Sequence, residues 1–242
     1  MGQLTTPLNT PSLKHNPLYP KQVLKRWVQP QPSEISSRPL DIRKQHVRIV
    51  HQERQTSLTE KLSVAVQGLA PFTRKVTAER QKLQENLPAV AQDIPCCKAT
   101  EALLEDVRQQ ATDYMNLLGL GAVEMSLSLV HSTSCPRLHE DSVKVRCLCT
   151  YLGEGTLFVE DRHVDRQQLQ LWLGQDTGGF KLRKNALVHQ ANPGDVLYLK
   201  GSAYPGNAGR GAVHRSPDGA SVENPRLVLR LDPASSHPCD CC

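Results

Sequence analysis

"CPRLHEDSVKVRCLCTYLGEGT", residues 135–156, decides how this chain is read. From Val143 onward the residues sort by parity. Val143, Val145, Cys147, Cys149 and Tyr151 share one face, and Lys144, Arg146, Leu148 and Thr150 the other. A period of two marks a strand, because successive Cβ atoms point to opposite sides of a sheet. The spacing predicts a strand over 143–151, entered from a polar loop that carries His139 and Asp141 two residues apart.

Outward from this strand the same period recurs. "VEMSLSLVH", "GTLFVED", "LQLWLG", "LVHQ", "DVLYLKG", "GAVHRS" and "RLVLRLD" are short, strand-like and bounded by Gly, Pro, Asp or Asn. Strands at such regular spacing predict a sandwich, barrel or jelly roll. Before Gly121 the period is mostly helical. "HVRIVHQER", 46–54, reads as a short strand, but "SLTEKLSVAVQGL", 57–69, opens with a capping box from Ser57 to Glu60. Residues 73–85 read as a second helix. "TEALLEDVRQQATDYMNLLGLG", 100–121, is the strongest helix: Leu103, Val107, Ala111, Tyr114 and Met115 line one face, Thr100 is the expected N-cap, and Gly119 or Gly121 the stop. The expected fold class is therefore α+β. A mainly helical region over 41–121 packs with a jelly-roll barrel over 122–234. A Pro-rich arm, 1–40, holds seven of the 17 prolines and is expected to be extended or disordered, and a Cys-rich tail covers 235–242.

Composition narrows the function classes. The 242 residues carry a net charge of +5 with 4% aromatic content. Lys and Arg are dispersed, and no nucleic-acid-binding motif is present, so a solvated basic surface is the expectation. No apolar run is long enough for a membrane span and the start lacks a signal-peptide layout, so a cytoplasmic location with reduced thiols is expected.

The chemistry candidates are His residues followed two positions later by an acid: His51-Glu53, His139-Asp141 and His163-Asp165. Two His and one carboxylate on one face, with other positions open, suit a catalytic iron centre. His139-Asp141 fits because strands flank it, and His214 in "GAVHRSP" can supply the second imidazole from a late strand. In "RLVLRLD", Arg226, Val228 and Arg230 share a face and Leu227, Leu229 and Leu231 the other. If the leucines pack under helices, the arginines face the site, and a buried Arg needs an anionic partner. By the parity of the preceding strand, Cys147, Cys149 and Tyr151 look inward, with Tyr151 or Tyr198 as donors to a cosubstrate carboxylate. The tail's His237, Cys239, Cys241 and Cys242 are soft ligands for Zn²⁺ or Cu(I).

The segments "CPRLHEDSVKVRCLCTYLGEGT", "NPGDVLYLKG" and "GNAGRGAVHRSP" followed by "RLVLRLD" resemble the DUF1826 family of uncharacterised bacterial proteins, over roughly 45–232. The resemblance implies a frame similar to the double-stranded β-helix of Fe(II)/2-oxoglutarate oxygenases, and a link to zinc limitation. On that basis His139, Asp141 and His214 would hold Fe(II), while Arg226, or else Arg230, and Tyr151 would bind 2-oxoglutarate. The substrate, a small molecule or a protein, is not specified. A zinc-binding protein without turnover uses the same three ligands and is the alternative. A cupin-like module is disfavoured because no His-x-His pair is present.

Overall fold

The computed structural model describes residues 32–167 and 179–234. The expected strand "LQLWLG", the tail ligands His237, Cys239, Cys241 and Cys242, and residues 1–31 of the arm lie outside the described residues.

Strands β1 (Ile35–Ser36) and β2 (Ile49–Gln52) come first, then helix α1 (Leu58–Ala65), β3 (Phe72–Glu79), α2 (Leu83–Val90) and α3 (Lys98–Leu118). After these come β4 (Ala122–Val130), β5 (Val145–Leu152), β6 (Leu157–Val159), β7 (Val164–Asp165), β8 (Lys181–Leu182), β9 (Val188–Gln190), β10 (Val196–Lys200), β11 (Val213–Arg215) and β12 (Arg226–Pro233). A seven-stranded sheet runs β1-β2-β10-β5-β12-β4-β3, a three-stranded sheet β11-β6-β9, and β7 pairs with β8. Among the described residues only the β1–β2 pair is parallel.

The parity seen in the sequence sorts the layers. Leu227, Leu229 and Leu231 of β12, Val145, Cys147, Cys149 and Tyr151 of β5, and Met125, Leu127 and Leu129 of β4 form one core with Leu103, Val107, Ala111, Tyr114 and Met115 of α3. Ile49, Leu197 and Leu199, which point the other way, pack with Phe158, Ala191 and Ala212. The large sheet thus has helices on one face and, over part of the other, the small sheet.

Helix α3 begins after Cys97, not at Thr100, whose hydroxyl instead donates to the Pro95 carbonyl at 2.6 Å. It ends at Gly119, which takes the left-handed conformation (φ 67°, ψ 37°) that glycine adopts without a Cβ penalty. At α1 the expected capping box is not formed; the Thr56 hydroxyl accepts from the Leu58 N–H at 3.1 Å.

The helix expected over 73–85 is corrected: Phe72–Glu79 is a strand and Leu83–Val90 a separate helix. Its Phe72, Arg74, Val76 and Ala78 alternate with the exposed Thr73, Lys75, Thr77 and Glu79, and pairing along the length of β4 secures the extended form. Residues 32–40 also carry structure, because Ile35 and Ser36 add a parallel strand beside β2.

Candidate metal centre

The loop between β4 and β5 brings His139 alongside β11. His139 and His214 exchange both backbone hydrogen bonds, each 3.0 Å, in an isolated antiparallel bridge. Their rings lie 4.4 Å apart between centroids. His139 Nδ1 faces the Arg137 carbonyl at 2.9 Å and His214 Nδ1 the Ala212 carbonyl at 3.1 Å. A carbonyl can only accept, so both Nδ1 atoms carry a proton, and in a neutral ring that leaves the Nε2 lone pair free.

Those lone pairs converge on Asp141. Its Oδ2 is 3.3 Å from His214 Nε2, and its Oδ1 is 3.9 Å from His139 Nε2. One ligand atom from each residue lies within 4.8 Å of the other two, the one such group of three among the described residues. Asp141 Oδ2 is buried without a hydrogen-bond partner. An orphaned carboxylate oxygen facing two imidazole lone pairs fits a divalent cation between them. Burial, with His139 adding to it and Asp141 opposing, pushes His214 down to about 4. It is therefore a neutral imidazole at physiological pH.

The loop is held on both sides. Arg146, at the start of β5, donates to Asp141 Oδ1 and forks onto Asp232 with two 2.9 Å bonds. Glu140, between the two candidate ligands, accepts from Gly211 N–H and from Arg166 Nη1, each at 2.7 Å. Gly201 lies under the loop: a Cβ there would overlap the Val143 carbonyl oxygen and come within 2.6 Å of that of Asp141.

A cavity of about 140 Å³ opens beside the imidazoles, lined among others by Arg146, Leu148, Thr156, Arg226, Val228 and Arg230. Arg226 is 5% exposed. It donates to the Glu154 carbonyl (2.7 Å), Thr150 Oγ1 (3.0 Å), Thr156 Oγ1 (2.9 Å) and, at 3.4 Å, Ser216 Oγ. Every one of these acceptors is neutral, and burial lowers the guanidinium to about 10. Among the described residues no carboxylate lies within ion-pair distance of it, whereas Arg230 stands 3.1 Å from Asp232 and 3.6 Å from Glu124.

The structure thus brings His139, His214, Arg226 and Arg230 to one cavity, with Asp141 beside the two imidazoles. It does not bring Tyr151, whose hydroxyl donates to Asp106 of α3 at 2.7 Å on the helix side of β5. Tyr198 sits in that same core. So do Cys147 and Cys149, whose thiols are pushed up by burial, Cys149 to about 12. The other His-acid pairs lie apart: His51 bonds Asp195 at 2.8 Å rather than Glu53, and His163 ends a 3-10 turn ahead of β7. Sequence reasoning missed Arg146 and Glu140. The parity of β5 carried a signal for Arg146, which lies opposite the buried thiols.

Residues 39–232 match the family model described as "Protein of unknown function (DUF1826)". The chain belongs to this family. No curated protein matches this DUF1826 chain in sequence. Among solved structures, a full-length Neurospora crassa protein in complex with alpha-KG is similar at 12% identity over 78% of this chain and 74% of that one, with a TM-score of 0.41. A rice dioxygenase for auxin oxidation is similar at 14% identity over 76% of this chain and 65% of that one, with a TM-score of 0.38. An oxalate decarboxylase variant from Bacillus subtilis is similar at 13% identity over 46% of this chain and 21% of its own, with a TM-score of 0.26. No helix among the described residues is long and apolar enough to cross a membrane.

Proposed function

We propose that this DUF1826 protein is an Fe(II)- and 2-oxoglutarate-dependent oxygenase of the cytoplasm, with its two facing sheets arranged as a double-stranded β-helix. The observation that carries the reading is Arg226, a buried guanidinium with only neutral partners, lining the same cavity as His139 and His214. Its neighbours are already neutralised: Arg146 by Asp141 and Asp232, Arg215 by Asp218, and Arg230 by Glu124 and Asp232. An incoming carboxylate is the natural partner for the charge left over.

In this reading His139, Asp141 and His214 hold the metal, with the Nδ1 protons of the two imidazoles fixed by backbone carbonyls. Arg226 takes the distal carboxylate of 2-oxoglutarate, and Thr150 and Thr156 fix the plane of its fork. Leu148, Val130 and Val228 keep water from the rest of the cavity wall. Oxygen activation is the chemistry that ferrous iron and 2-oxoglutarate supply together when bound.

The test is anaerobic. Fe(II) and then 2-oxoglutarate are added to metal-free protein, and the visible charge-transfer band of a chelated complex is sought. The band is expected in the wild type, lost in His139→Ala, and weakened in Arg226→Met. Tight Zn²⁺ binding at the same residues, with no response to 2-oxoglutarate, would overturn the proposal.

A further inference from the structure

Asp141 is the only carboxylate of the candidate centre, and its two oxygens have different surroundings. Oδ2 is buried, unpartnered and 3.3 Å from His214 Nε2. Oδ1 is occupied by the Arg146 guanidinium. The same guanidinium is clamped from behind: its Nε and Nη2 each lie 2.9 Å from the Asp232 carboxylate on β12, 86 residues away in sequence. Both acids are buried, at 8% and 7% exposure. A guanidinium forked onto Asp232 and bonded through Nη1 to Asp141 Oδ1 restrains rotation of the Asp141 carboxylate.

We infer that Arg146, anchored by Asp232, is the positioning residue of the centre: it reserves one Asp141 oxygen and presents the other alone to the metal. The carboxylate would then offer a metal one oxygen, beside the cavity that Arg146 itself helps to line. Glu140 and Gly211 hold the same loop from its outer side, so Arg146 governs the orientation of the carboxylate rather than the course of the backbone.

This inference rests on a divalent metal at the centre but not on 2-oxoglutarate, so it is tested with Co²⁺ alone on the full chain. Charge and position predict opposite signs. Removing a cation from beside a divalent ion relieves repulsion and, on charge alone, tightens binding. Freeing the carboxylate weakens binding, by roughly ten- to a hundredfold where a ligand loses its hydrogen-bonded support. Arg146→Met is expected to show that loss, together with an altered cobalt visible spectrum, while the metal-free protein keeps its circular dichroism. Asp232→Asn, which leaves Arg146 in place but loosens its anchor, is expected to shift the spectrum the same way by less. Cobalt binding as tight as the wild type, or tighter, in folded Arg146→Met overturns the assignment. If Arg146→Met does not fold, a wild-type spectrum and affinity in Asp232→Asn overturns it. Absence of cobalt binding in the wild type would instead dismiss the centre itself.

Discussion

Replacing Arg226 with Met separates a cosubstrate anchor from a structural arginine. Burial lowers the guanidinium to about 10. A base depressed in the folded state weighs against folding wherever it stays charged, which includes neutral pH. A depression of that size corresponds to about 3 kcal/mol. Against this stand the hydrogen bonds to Glu154, Thr150, Thr156 and Ser216, each contributing about 1 kcal/mol net. The two effects nearly cancel, so the metal-free Arg226→Met protein is expected to unfold within about 2 kcal/mol of the wild type. The cosubstrate loses a charge-assisted pair worth about 1.5–3 kcal/mol, so 2-oxoglutarate binding weakens roughly ten- to a hundredfold. Denaturant unfolding of the apoprotein and 2-oxoglutarate titration of the metal-loaded protein measure both sides. Unchanged 2-oxoglutarate affinity would refute the reasoning. So would an apoprotein destabilised by well over 3 kcal/mol, since that describes a scaffold arginine.

Gly201→Ala is expected to lower stability by about 1–3 kcal/mol, the usual range for forcing atoms into a packed site, and to weaken metal binding by displacing the Asp141 loop. An unchanged melting temperature and cobalt affinity would contradict the close packing. Cys97 is held below its ordinary value by the Thr100 hydroxyl and backbone N–H, whereas burial raises Cys147 and Cys149. Iodoacetamide at neutral pH should therefore label Cys97 long before either core thiol, as read by peptide mass spectrometry; labelling of Cys147 first would oppose this. At Asp106 burial pushes the carboxyl up, but bonds from Arg54 and Tyr151 more than offset it, leaving it depressed. Its contribution is present above the ordinary carboxylate range near pH 4 and is lost as the pH falls below it. The urea midpoint of the wild type should accordingly fall more steeply below pH 4 than that of Asp106→Asn; parallel profiles would deny the coupling.

What was legible in the sequence was local parity. The leucines of β12 lie in the core with α3 and its arginines line the cavity, as their alternation required. The same reasoning misplaced Tyr151, because it carried the parity of His139 into β5 across residues 142–144, which are bends rather than strand. Alternation holds only while the chain stays extended, so the phase was reset before Val145. Strand β3 carries no clear strand signal in the sequence, because its apolar residues are few and its alternation shows mainly against β4. Arg146 with Asp232, and Glu140 with Arg166, pair across long separations that no local period encodes.

The large sheet keeps packing and chemistry on opposite faces of the same strands. On β5, Cys147, Cys149 and Tyr151 lie beneath α3, while Arg146 bonds Asp141, Thr150 braces Arg226 and Leu148 lines the cavity. On β12 the leucines do the packing, Arg230 and Asp232 pair their charges, and Arg226 donates to the neutral Glu154 carbonyl. Strands β5 and β12 are hydrogen-bonded neighbours, with Arg230 opposite Leu148 and Leu231 opposite Cys147. The apolar face therefore sets the register in which the polar face is assembled. A one-residue slip would bury the arginines under the helices and expose the leucines to the cavity. The hydrophobic core thus fixes where Arg146 and Arg226 stand, and with them the polar face on which the candidate centre is assembled.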